Sequence, residues 1–190
     1  LLCSTGVAVR DGFEDTEPAL AVVPQRYGMA AMALPIRSVG VKADLRSYEH
    51  PVLISGQALF DQLLEMAATV FKEVPGINRC IWNLGLVPPR DVTPLAATVT
   101  RDRLDLLREA DHLVMEGLRR HGVYDSIWQC PTVLVPMAVD ARGREFVIVR
   151  PIHSERAMTA TPAVLPAALL DELRQQILSL PGVSVAHARE

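Results

Sequence analysis

"FKEVPGINRCIW", Phe71 to Trp82, decides how the chain is organised, because its order returns in "LSLPGVSVAHA", Leu178 to Ala188. In each stretch an apolar helix-like run stops at Pro-Gly and a short strand follows. Proline cannot continue a helix and glycine accepts the backbone reversal after it. Upstream of the first stop, Gln57 to Lys72 places Leu59, Leu63, Met66 and Val70 at helical spacing, with Phe60, Leu64, Ala67 and Phe71 widening the face. Upstream of the second, Pro166 to Leu180 does the same with Leu169, Leu173 and Ile177.

Two strand-turn-strand segments precede these helices. Met29 to Val41 and Ser47 to Ile54 read as one pair, Thr132 to Val139 and Phe146 to Ile152 as the other, and "LPIRSVGVKADLRSY" faces "VPMAVDARGREF". After the stops, Ile77 to Leu84 and Val183 to Ala186 read as the closing strands. The expected class is therefore α+β, built from two repeated β-β-α-β units, each with one sheet face covered by one helix. Between them Arg101 to His121 is an amphipathic helix inserted between the units, with Thr100 as N-cap and Gly122 as C-terminal stop. Pro88-Pro89 and Pro94 stiffen the segment before it. The boundaries follow: 1–28 a linker, 29–87 the first unit, 88–125 the proline-rich connector and inserted helix, 126–190 the second unit. Phe146 to Ile152 is apolar at successive positions, which predicts cover on both faces, by its helix and by the other unit or another subunit.

The 190 residues are 49% hydrophobic and 22% charged, enough to bury a substantial core. A net charge of −3, without basic clusters interleaved with aromatics, argues against nucleic acid as a partner. Apolar runs such as Met29 to Ile36 fall short of the roughly 20 residues that span a bilayer. Cys3, Cys80 and Cys130 are widely spaced free thiols suited to a reducing compartment, so a cytoplasmic protein is expected. The chain opens on Leu1, which points to a fragment of a longer protein.

Chemistry-bearing motifs are scarce. There is no phosphate loop of the form GxxxxGK[ST], no GxGxxG, no HExxH and no GxSxG, and the histidines show no zinc-like pairing with the cysteines. No catalytic residue and no metal ligand is expected. What stands out is the charged turn between the first two strands, Lys42, Asp44, Arg46 and Glu49. It reads either as a solvated hairpin tip or as an anion-binding turn.

A family resemblance enters here. "LPIRSVGVKADLRSYEHPVLISG" resembles the LPIKTVGVQGDCRSY segment of glutamine-hydrolysing GMP synthases, and "KEVPGINRCIW" resembles their EVPGINRVVYD. "PPRDVTP" is similar to the PPTDVTPT of the longer, eukaryote-like members, "SIWQCPTVLVP" to ISQMPVILTP, and "VRPIHSERAMTATPA" to IRTFITSDFMTGxPA, in that order along the chain. "STGVAVR" echoes the PGPGLAIR that closes the family's ATP-pyrophosphatase domain.

The resemblance implies a C-terminal domain that dimerises and closes over xanthosine monophosphate (XMP). It also implies a missing ATP-pyrophosphatase domain N-terminal to residues 1–28. ATP and magnesium would belong to that domain, with no cofactor in this chain, which alone would be inactive. By this matching Arg46 becomes a phosphate anchor, its guanidinium able to hold oxygens in a fork, and Gln129 a reader of the purine edge. Asp44 is a turn-former and partner for Arg46, and Arg150 a supporting residue paired with a carboxylate or crossing a subunit interface. A small-molecule nucleotide and a second copy of the chain are thus the expected partners. The family's Lys-Pro-Pro-Gly-Thr tail is absent from "VSVAHARE", which keeps open a dimerisation module of a related pyrophosphatase with a different substrate, and a free-standing dimer.

Overall fold

The computed structural model describes residues 16–42, 45–85, 88–89, 92–138, 143–155 and 159–189. Its organising feature is one eight-stranded mixed sheet in which the two sequence repeats lie side by side. In the first, β1 (Ala30–Ala33) and β2 (Ser38–Lys42) both pair antiparallel with the long β3 (Leu45–Ser55); α2 (Phe60–Glu73) then crosses over to β4 (Ile77–Asn83), parallel to β3. In the second, β6 (Thr132–Ala138) pairs antiparallel with β7 (Glu145–Val149), and α4 (Ala167–Ser179) crosses over to β10 (Val183–Arg189), parallel to β7. The strand order is β1-β3-β4-β10-β7-β6, with β5 (Thr93–Pro94) on the far edge and β2 pairing β3 off this path. Because β4 and β10 are antiparallel, the repeats are related by an approximate two-fold between them.

Local chemistry explains the match. Both Pro-Gly stops use a glycine in the left-handed region, Gly76 at φ 78° and Gly182 at φ 87°. Each stop then receives the first strand bond of its unit: the His50 amide donates to Gly76 and the Glu145 amide to Gly182, both at 2.8 Å. A proline also interrupts the first strand of each pair. Pro35 separates β1 from β2, and the β6–β7 register slips between Val135 and Ala138 at Pro136. The predicted single strand from Met29 to Val41 is therefore two. His50 accommodates the break, its ring Nδ1 lying 3.1 Å from the Leu34 carbonyl and 2.8 Å from that of Ile36.

Helices cover one face of the sheet. Under the first unit, Leu63, Met66 and Val70 of α2 pack with Val52, Ile54 and Cys80. Leu20 and Val23 join them from α1 (Thr16–Arg26), a helix inside the segment expected to be only a linker. Under the second, Leu169, Leu173 and Ile177 of α4 meet Val147, Val149 and Val183, and α3 (Arg101–Arg120) adds Ala110, Val114 and Leu118. As expected, Thr100 caps α3 by accepting from the Arg103 amide at 3.3 Å, and Gly122 follows its end with φ 67°. Arg103 anchors α3 to the sheet with a two-pronged ion pair on Glu145, at 3.0 and 2.7 Å.

The opposite sheet face carries Leu34, Leu53, Ile81, Val135, Met137, Phe146 and Ile148 in one cluster, with Ile36, Val92 and Val133 packed against it. Strand β7 is thus covered on both faces within the chain. It is also shorter than predicted, because Arg150-Pro151 ends it and Ile152 opens a separate hairpin of β8 (Ile152–Glu155) and β9 (Thr159–Pro162).

Candidate functional site

The β2–β3 hairpin is the first element of interest. Its register sets Ser38 opposite Glu49, Gly40 opposite Ser47 and Val41 opposite Arg46. Alternation puts Ser38, Gly40 and Ser47 on one face, and this face meets Asn78 of β4. The Asn78 amide donates to the Ser38 carbonyl at 2.8 Å and accepts from the Ser38 hydroxyl; Arg79 donates to the Val39 carbonyl at 2.9 Å. Gly40 is required by closeness, since a Cβ there would stand 2.8 Å from Ser47 Oγ and 3.0 Å from the Asn78 amide nitrogen. Arg46 lies near the start of β3, and Asp44 falls outside the described residues.

Gln129 is on the other unit. It makes an isolated antiparallel bridge to Ile152, whose amide donates to the Gln129 carbonyl at 2.8 Å, and its side chain is exposed. Arg150 sits directly after β7 with its amide donating to the Pro131 carbonyl at 3.0 Å. Gln129 and Arg150 therefore share the junction where β6, β7 and the β8–β9 hairpin meet. Arg46 does not: β4, β10 and β7 lie between β3 and β6, roughly 19 Å of sheet at ~4.8 Å per strand.

Cavities lined by described residues lie elsewhere. One of about 250 Å³ sits on the seam between the units, walled by Gly56, Trp82 and Asn83 on one side and Leu170, Asp171 and Arg174 of α4 on the other. Its polar floor is internally satisfied, since Trp82 Nε1 donates to the Gly56 carbonyl at 3.0 Å and Asn83 Nδ2 to Ser55 Oγ at 3.1 Å. A smaller one, about 100 Å³, lies between β1 and Pro88-Pro89. Among the described residues no group of three or more His, Cys, Asp and Glu side chains converges as metal ligands. Burial pushes the thiols of Cys80 and Cys130 up to about 12, with Asp111 adding to the shift at Cys130, which makes neither a nucleophile.

Asn78 was not singled out from the sequence. Its signal was the extra residue in "PGINRCIW" relative to "PGVSVAH", which becomes meaningful only once strand register is known.

The GMP synthase C terminal domain family matches residues 116–185, the end of α3 and most of the second unit. Similarity to whole proteins extends further. The probable glutamine-hydrolyzing GMP synthase of Leptospira interrogans serovar copenhageni is 32% identical over 163 residues, 82% of this chain and 26% of that protein. The GMP synthase of Leifsonia xyli is 35% identical over 150 residues, 71% of this chain and 30% of that protein. That of Thermotoga petrophila is 40% identical over 85 residues, 42% of this chain and 17% of its own length. The chain thus spans about a quarter to a third of the first two relatives. No described helix is long and apolar enough to cross a membrane. The motif order, the duplicated sheet and these matches agree: the chain carries a C-terminal domain of the GMP synthase family.

Proposed function

We propose that this chain is the substrate-closing and dimerising part of a glutamine-hydrolysing GMP synthase, acting in GMP biosynthesis in the cytoplasm beside an ATP-pyrophosphatase domain. The observation that carries this is the match of 82% of the chain to about a quarter of a GMP synthase. ATP and magnesium chemistry then belongs to the neighbouring domain, and the chain alone makes no GMP. Its own task is to bind XMP. Arg46 anchors the phosphate, with Asp44 holding the turn; Gln129 meets the purine, with Arg150 behind it. Because three strands separate Arg46 from Gln129, the two contacts grip opposite ends of the bound assembly, or reach different copies in a dimer.

A homodimer is part of this reading. Strand β7 does not require one, being covered within the chain, so the support is the family resemblance together with exposed apolar side chains such as Leu59 at the N-cap of α2 and Phe71 near its C-terminal end.

Calorimetric titration of XMP into wild-type and Arg46→Ala protein, with sulfate as competitor, tests the site. Weak binding by the wild type, lost in the variant and displaced by sulfate, is expected; one or two charge-assisted contacts do not by themselves offset the entropy of association. Equal heats from both proteins would reduce the turn to a solvated hairpin tip. Light scattering at tens of micromolar reads the dimer, and a monomer there would remove that part of the proposal.

A further inference from the structure

The two units share one plan, and they depart from it at Asn78. Along β10 the register runs Val183 to His187 against Glu145 to Val149 without a slip. Along β4 it passes from Ile77 opposite His50 to Arg79 opposite Pro51 and skips Asn78. A bulge of this kind adds one residue to a strand and re-aims its side chain. Here the amide is turned onto β2, where it engages both the hydroxyl and the carbonyl of the fully buried Ser38. The neighbouring Arg79 adds its bond to Val39. These contacts matter because, among the described residues, β2 pairs with β3 and with no other strand. The hairpin would otherwise hang from the sheet by β3 alone, and a two-stranded ribbon is marginally stable without further support. Gly40 is the complementary device, leaving the space that lets the hairpin settle against Asn78.

We infer that Asn78 is a positioning residue: the bulge aims its amide at β2, and that amide sets the angle at which the β2–β3 hairpin, with Arg46 near the start of β3, leaves the sheet. The group presented is a nucleotide phosphate anchor, so this part rests on the XMP reading above. The clasp itself does not.

The test combines hydrogen exchange with XMP titration on wild type, Asn78→Ala, the milder Ser38→Ala and Arg46→Ala. In Asn78→Ala the amides of residues 38–42 and 45–49 are expected to exchange at least ~10-fold faster while those of α3 and α4 keep their protection. The XMP dissociation constant is expected to rise about fivefold or more, since a contact held by a loosened element is less well placed. Ser38→Ala, which keeps the Asn78 to carbonyl bond, is expected to show smaller changes of the same kind. Unchanged hairpin exchange in Asn78→Ala overturns the clasp. Faster exchange with XMP affinity unaltered, where Arg46→Ala abolishes it, overturns the positioning role. If wild-type protein takes up no XMP, the nucleotide reading fails, and exchange alone decides the clasp.

Discussion

Trp82 and His187 stand opposite one another where β4 meets β10. Each is also the equivalent of the other, because Trp82 pairs with Ile54 of β3 as His187 pairs with Val149 of β7. The approximate two-fold passes through this pair, and Trp82 stands on the seam between the halves, its indole bonded to Gly56. Truncating it opens a hole shared by both units. Trp82→Ala is expected to lower unfolding free energy by about 3 kcal/mol, against less than about 1 kcal/mol for Trp128→Ala at an exposed site. Urea denaturation compares them.

Gly117 sets how closely α3 approaches α4. A methyl group there would lie 2.8 Å from Leu169 Cδ1 and 3.3 Å from Leu173 Cδ2, and both leucines are fully buried. Alanine gains about 1 kcal/mol of helix propensity over glycine, but overpacking a filled contact costs about 1–3 kcal/mol. Gly117→Ala is therefore expected to be neutral to destabilising by up to about 2 kcal/mol, and Leu169→Ala in the same chain to recover part of the packing strain. Chemical denaturation of the two single variants and the double variant measures the coupling.

Glu172 ties the end of α3 to α4. It lies 2.9 Å from His121 Nε2, is bonded to Arg120, and accepts from Gln176 at 3.2 Å. The bond from His121, then that from Arg120, lowers its pKa below the ordinary glutamate value. A lowered folded-state pKa stabilises the fold above the unfolded value, about 4.3 for glutamate, and that contribution is lost as pH falls through the folded one. Glu172→Gln is expected to flatten this acid limb. Urea midpoints measured from pH 7 to pH 3 provide the comparison.

Cys80 and Cys130 are both buried, with thiols raised to about 12. At pH 8 neither presents thiolate to a reagent. Native protein treated with iodoacetamide is expected to remain unmodified at both positions, and denatured protein to react at both. Peptide mass spectrometry locates the labels; rapid labelling of either in native protein would contradict the packing described.

The repeat was legible because Pro-Gly stops and helical apolar spacing are local signals, and α2, α3 and α4 begin and end within three residues of their predicted limits. Breaks in strands were not. The run from Met29 to Val41 is continuous in apolarity, and only its pairing with β3 on both sides of Pro35 shows two strands. Likewise Phe146 to Ile152 reads as one strand until Arg150-Pro151 turns the chain. The helix Thr16–Arg26 escaped notice because Pro24 lies inside it and its apolar residues make no clean stripe. Arg46 and Gln129 were reached through family resemblance. Asn78 depends on register, which a single chain does not display.

The strand order also has a meaning for synthesis. Among the described strands β10 is made after all the others, yet it occupies the middle of the sheet, between β4 and β7. On the ribosome the first half can fold well before its neighbour exists, and about 100 residues separate Asn83 from Val183. At roughly 5–20 residues per second, the free edge of β4 waits on the order of 5–20 s for its partner. Unpaired edges recruit other chains. The nascent polypeptide is therefore most exposed to mispairing with a sister chain on the same message during that interval, and a pause in translation downstream of Asn83 would lengthen it.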